Sequence, residues 1–253
     1  LSNNDTCWKF GSLINVACVV YINEGISPMG AGRTVRLKVN GTGTYSGNTN
    51  GSGAYSIVNV VTSPGDVITL YLDNATENAV TVTRASSSAI SGINLYQNHV
   101  IVRTEDAGPM TNANLGVYDG DDDAGDVFFT SNAGAYVQST GTFYVMGAST
   151  VFAPGGTITL NAVSFRHIDG TFTGSATHLI DINDASFEMV GGTFNLAAGG
   201  MNIERSFDLT GGAFSSTGAV TFDTASGNDS SVVNCTSPIS GTVDFNKSDS
   251  TGT

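Results

Sequence analysis

The chain has 253 residues, 40% of them hydrophobic, with 9 Lys plus Arg against 22 Asp plus Glu and a net charge of −13. That is enough apolar material for one large domain or two modest ones, while the acidity excludes ordinary nucleic-acid binding, which needs a basic surface. No run approaches the roughly 18 apolar residues of a membrane span, and 12% charge beside 32 Gly leaves a neutral polar surface.

The first 18 residues form an N-terminal segment, a candidate strand donor, holding two of the three cysteines. Cys7 and Cys18 could close a hairpin-sized disulfide loop or be buried thiols; the odd Cys235 reads as a buried small hydrophobe. Residues 19–84 alternate in short strands: Val19–Ile22, Val35–Val39, Tyr55–Val58, Val67–Leu72 and Val80–Val82. Between them lie Asn40-Gly41, Ser46-Gly47, Asn50-Gly51 and Pro64-Gly65-Asp66, residues suited to tight turns. Period-two runs at this spacing predict a small β-sandwich of immunoglobulin or transthyretin type and no helix.

Within that stretch, Ser27-Pro28-Met29-Gly30-Ala31-Gly32-Arg33-Thr34-Val35, then Asn50-Gly51-Ser52-Gly53-Ala54-Tyr55, then Pro64-Gly65-Asp66 resembles the carboxypeptidase-regulatory-like, transthyretin-like domains of secreted bacterial proteins. The likeness covers about 65 residues, and Asn50 replaces the commoner acidic residue of the turn. It implies an accessory module without catalytic residues.

Residues 85–135 read as a connecting β region with strands at Val100–Val102 and Val127–Phe129 and one dense acidic loop. In that loop Asp119, Asp121, Asp123 and Asp126 alternate as oxygen ligands could around a hard cation such as calcium; a merely solvated acidic turn is the alternative. It lacks the glycine and distal glutamate of an EF-hand. No other cofactor is expected.

Residues 136–253 repeat. Ser164-Phe165 to Phe172, Ser186-Phe187 to Phe194 and Ser206-Phe207 to Phe214 share one nine-residue pattern, with starts 22 and 20 residues apart. Phe143/Phe152 fit one period earlier, and Ile158/Leu160, Ile180/Ile182, Met201/Ile203 and Val220/Phe222 form a second series of i, i+2 pairs on one strand face. Four coils of this kind predict a parallel β-helix, or β-solenoid, with Phe stacked inside and glycine at the corners. This region resembles the passenger regions of bacterial β-helical adhesins. The Ser/Asn/Asp-rich segment after Phe222 holds few apolar residues and reads as a thin C-terminal cap.

Catalysis has no positive signature. The best group, Arg166-His167-Ile168-Asp169 near Asp181, Asp184 and Glu188, does not recur, because Glu188 and Asp208 replace Arg166 and Met189 and Leu209 replace His167. His167 therefore reads as a packing or surface residue, and His99 and His178 stand alone. No Gly-x-Ser-x-Gly, phosphate loop, Cys-x-x-Cys or His-Glu-x-x-His motif occurs. Seven Asn-x-Ser/Thr sequons, from Asn4 to Asn246, permit glycosylation.

With only Lys9, Lys38 and Lys247, the chain makes little use of edge lysines to block strand pairing. The expectation is an all-β, secreted, extracellular or cell-surface structural protein, not an enzyme, whose partners are copies of itself. A glycan-binding adhesin fragment contacting cell-surface glycans is the second reading; a β-helix polysaccharide lyase or hydrolase is the third.

Overall fold

The computed structural model describes residues 11–224, 232–241 and 245–249. Nine strands come first: β1 (Ser12–Tyr21), β2 (Thr34–Val39), β3 (Thr42–Asn48), β4 (Ala54–Thr62), β5 (Val67–Asp73), β6 (Val80–Arg84), β7 (Ile90–Ser91), β8 (Leu95–Tyr96) and β9 (His99–Thr104). β1 pairs antiparallel with β4 and parallel with β7 and β8, while β3, β2, β5 and β6 form an antiparallel ribbon. The two sheets share one core, with Val16 and Ile57 from the first and Leu37 and Leu70 from the second, which is the layout of a small sandwich. Asn40-Gly41 makes the β2–β3 turn with both residues left-handed, at φ 47° and 72°. Ser46-Gly47, expected to be a turn, instead lies inside β3. There Gly47 meets the chain at Ser56 so closely that a Cβ would sit 2.7 Å from the Ser56 carbonyl oxygen, so the glycine reports close packing rather than a bend.

A four-residue helix, α1 (Asn112–Leu115), starts on a capping box between Thr111 and Asn114. It is followed by the hairpin of β10 (Phe129–Asn132) and β11 (Ala135–Gln138). The solenoid strands are β12 (Thr142–Val145), β13 (Val151–Phe152), β14 (Ile158–Asn161), β15 (Ser164–His167), β16 (Thr171–Thr173), β17 (Ile180–Asn183), β18 (Phe187–Met189), β19 (Thr193–Leu196), β20 (Met201–Ile203), β21 (Ser206–Leu209), β22 (Ala213–Ser216), β23 (Val220–Thr224), β24 (Val232–Cys235), β25 (Ile239–Gly241) and β26 (Phe245–Asp249).

These stack in parallel on three faces, and the expected ladders form in register. Val100, Phe143, Phe165, Phe187 and Phe207 make one column; Phe152, Phe172, Phe194 and Phe214 make the second; Ile158, Ile180, Met201 and Val220 line the third. All of these side chains are buried. The motif glycine has a steric cause: Gly192 adopts φ 72°, and a Cβ on it would lie 2.4 Å from the Gly170 carbonyl oxygen of the rung below. Only glycine lets successive corners stack that closely.

The stack is longer than the four coils visible in the sequence. The first face contains seven parallel strands, β6, β9, β12, β15, β18, β21 and β24, so parallel pairing reaches into both stretches set apart as sandwich and connector. That face and the sandwich ribbon are one ten-stranded sheet ending at β3 and β24. The segment expected to be a C-terminal cap pairs as a further rung, with Val233 opposite Phe207, Ile239 opposite Phe214 and Phe245 opposite Val220.

Candidate functional site

The two ends of the solenoid differ. At the near end, Met110, Leu115, Val127 and Phe129 enter the main core and β10 pairs antiparallel on β11, covering the first rungs. Buried Asn112 fastens this plug, its Nδ2 donating to the carbonyls of Gly134 and Thr157 at 2.8 Å each. At the far end, β24, β25 and β26 end the three faces among the described residues. Val232 and Val233 there are 53% and 48% exposed, although the register places Val233 in the Phe column. Cys235, expected to be buried, is exposed in the same strand, because no further rung covers it among the described residues.

The acidic loop belongs to the plug. Asp119 is buried; its Oδ2 accepts from Ser131 N at 2.7 Å and its Oδ1 from Asp121 N at 3.2 Å. Burial pushes its carboxyl above the ordinary aspartate value, and the neighbouring Asp121 carboxylate adds to this, whereas a hydrogen bond from Asn132 holds Asp121 below it. Asp119, Asp121 and Asp122 bring ligand atoms within 4.8 Å of one another. Of the expected calcium set, Asp123 accepts from Asp119 N and Asp126 from Asn74 N, so both carboxylates are engaged in holding backbone. Calcium needs six to eight oxygens; the set best placed for it is Asp119, Asp121 and Asp122, two of them exposed.

A second cluster is invisible in the sequence. Tyr144, Arg166, Glu188 and Asp208 stand in one outward row of the ten-stranded sheet, and the loop after β1 lays Glu24 across it. Glu24 contacts Arg166, accepts from the Tyr144 hydroxyl at 3.2 Å and lies 3.2 Å from His99 Nε2. Arg166 also pairs with Glu188 at 2.7 Å and sits over the Tyr144 ring at 5.4 Å. His99, read as solitary, thus has Glu24, Tyr96 and Tyr144 around it. Burial alone would raise the Glu24 carboxyl, but hydrogen bonds from Arg166 and His99 outweigh it and hold it low; burial pushes the Tyr144 phenol up. Arg166 bridges Glu24 and Glu188, so the cluster works as a clasp between sandwich loop and rod. Glu24 sits in an ordinary turn and gives no sequence signal of this pairing.

His167 faces the interior, fully buried, 5.5 Å from the Phe194 ring. Neither ring nitrogen has a hydrogen-bond partner, and burial pushes its pKa down to about 4. It packs in the column of Val145, Met189 and Leu209, the packing rather than the surface position of the two expected for it.

No family model, curated protein or solved structure matches this chain. The disulfide expected between Cys7 and Cys18 involves Cys7, which lies outside the described residues. Cys18 is a free thiol whose Sγ contacts Asn94 Oδ1. Of the segment expected to donate a strand, Ser12–Tyr21 pairs with β4 in its own chain; residues 1–10 lie outside the described residues. No helix among the described residues is long and apolar enough to cross a membrane.

Proposed function

We propose that this chain is a secreted structural protein that assembles head to tail into an extracellular filament, sheath or surface layer. The observation that carries the reading is that, among the described residues, one sheet ends in β24, with Val232 and Val233 exposed, on one side and in β3 on the other. Both strands, Val-Val-Asn-Cys and Thr-Gly-Thr-Tyr-Ser-Gly-Asn, lack charge, the commonest guard against edge pairing. β24 of one copy adding to β3 of the next would extend the ten-stranded sheet by β-augmentation, and a contact between two different patches repeats without closing. In the lateral polar cluster Glu24 and Glu188 are both tied to Arg166, an arrangement that suits a structural role. In this reading the N-terminal unit is an accessory module of the carboxypeptidase-regulatory-like kind, and the rod resembles an adhesin passenger.

Negative-stain microscopy at rising concentration tests the assembly, and Thr44→Cys tests the interface. Oxidation should link the new thiol in β3 to Cys235 of a neighbour and yield a ladder of dimers, trimers and larger species, abolished by Cys235→Ser. Monomers at every concentration would end the assembly reading; filaments without the ladder would end the β3–β24 pairing.

A further inference from the structure

His99 opens β9, the strand through which the ten-stranded sheet passes from sandwich to rod. Its ring is wedged between Tyr96 of β8 and Tyr144 of β12, at 5.8 and 5.4 Å between centroids, and meets both edge to face. In that slot the two nitrogens face different partners. Nδ1 lies 2.6 Å from the Gln97 carbonyl oxygen, and Nε2 lies 3.2 Å from Glu24 Oε1 in the loop after β1.

These two contacts select a protonation state. A carbonyl oxygen only accepts, so Nδ1 keeps its hydrogen, and a neutral imidazole then has a bare lone pair at Nε2. A lone pair set against a carboxylate oxygen repels it, whereas an imidazolium donates a charge-assisted hydrogen bond across the same gap. The pair as it stands belongs to the doubly protonated ring.

The groups around the ring leave Glu24 as its one ion-pair partner among the described residues. Burial raises the phenols of Tyr96 and Tyr144, so both stay neutral where histidines titrate. Arg166 of β15 contacts the same Glu24 oxygen, and Glu188 of β18 balances Arg166. Burial raises the Glu24 carboxyl, but hydrogen bonds from Arg166 and His99 outweigh it and hold it below the ordinary glutamate value. Its contribution is lost only as pH falls through that lowered value; on the alkaline side the limit is the second proton of the ring.

The loop answers as a unit because it is braced from within. Asn23 Oδ1 accepts from Ile26 N at 3.0 Å and Ser27 N at 2.8 Å, and Ile22 N donates to the Ser27 carbonyl at 2.8 Å. Gly25, at φ 82°, passes so close to Tyr96 that a Cβ would lie 3.4 Å from its hydroxyl oxygen.

We propose that His99 is an acid-set latch for the loop after β1, its imidazolium holding Glu24 against the rod and its neutral ring letting that carboxylate loosen. Arg166 and the Tyr144 hydroxyl keep their hold on Glu24 in either state, so the ring sets how tightly the loop clasps the rod. The junction of sandwich and rod is firmer in mildly acidic surroundings. All of these groups lie in one chain, so the latch does not depend on self-assembly.

The test is amide hydrogen exchange of the full chain at about pH 5.5 and about pH 8, corrected for the intrinsic rate at each pH. Protection of the Gly25, Ile26 and Ser27 amides should be about tenfold higher at the lower pH, the worth of one charged hydrogen bond. His167 acts in the opposite direction, so it cannot produce this rise. His99→Gln offers Glu24 a neutral donor at every pH and should keep the acid level of protection at both; His99→Phe has no donor and should show the alkaline level at both. Equal protection of the parent loop at the two pH values overturns the proposal. So does a parental pH dependence in His99→Gln, which serves alone if His99→Phe does not fold.

Discussion

Phe172 and Phe194 lie face to face, with 4.1 Å between ring centroids and 7° between planes. They are register partners on successive rungs, and Phe214 continues the stack at 5.5 Å and 7°. Phe187 closes the column from the next face, its ring 4.9 Å from Phe194 and 5.3 Å from Phe207. The rod is held together by this aromatic interior more than by any polar contact on its surface.

Truncating the stack should therefore be costly. Phe194→Ala is expected to lose about 3–5 kcal/mol in denaturant unfolding, from lost transfer energy plus a cavity. Phe187→Asp places an unpaired charge in the same column and should abolish cooperative melting of the solenoid by circular dichroism. A Phe187→Asp chain that melts like the parent would mean that residue 187 faces solvent.

His167 makes stability depend on acid. Its folded pKa of about 4 lies below the ordinary 6.5, so the unfolded chain binds the proton more tightly. Stability is full above about pH 6.5 and is lost as pH falls toward 4. Met189 already occupies the matching position one rung on, so His167→Met should fold, and its advantage over the parent should grow across that window to on the order of 3 kcal/mol. Equal pH profiles from urea titrations of the two proteins would show that His167 is protonated without cost.

Arg166 carries the clasp. Arg166→Ala removes the guanidinium that Glu24 and Glu188 share and should cost about 1–3 kcal/mol. Hydrogen exchange should rise in residues 22–28 while the Phe columns stay protected. Uniform protection in the variant would show that the loop is held by other contacts.

In the acidic loop, Asp119 should matter most. Asp119→Asn disturbs two backbone hydrogen bonds in the plug and should lower the melting point, whereas Asp122→Asn, at an exposed position, should not. If calcium uses this loop, its addition should raise the parent's melting point and leave that of Asp119→Asn unchanged; the same loss in chelator and in calcium would assign Asp119 to the fold alone.

At the open rung, Val233→Lys puts a charge on the β24 edge. Filaments seen with the parent should disappear in negative stain at an unchanged melting temperature. Filaments of normal length from this variant would remove β24 from the contact.

Much of this architecture was legible because a solenoid writes its geometry into sequence at short range. Phe165, Phe187 and Phe207 recur at the rung period, and the glycines at 170, 192 and 212 mark the corners between them. Where the period fails, the reading failed too. β9 carries Val100 and Val102 instead of Phe and lies 43 residues before its rung partner β12, so the plug inserted between them hid its place in the stack. Val232, Val233 and Ile239 were too sparse to announce a rung, and only their register shows one.

By itself, then, the sequence determined the class of fold and the identity of the buried columns, since each follows from local periodicity and composition. Tertiary structure decided what depends on residues far apart in the chain. Glu24 meets Arg166 across 142 positions, one sheet joins sandwich to rod, and the near end is plugged while β24 carries no further strand among the described residues. Such pairings arise because packing, not sequence distance, chooses neighbours once the backbone hydrogen bonds are satisfied.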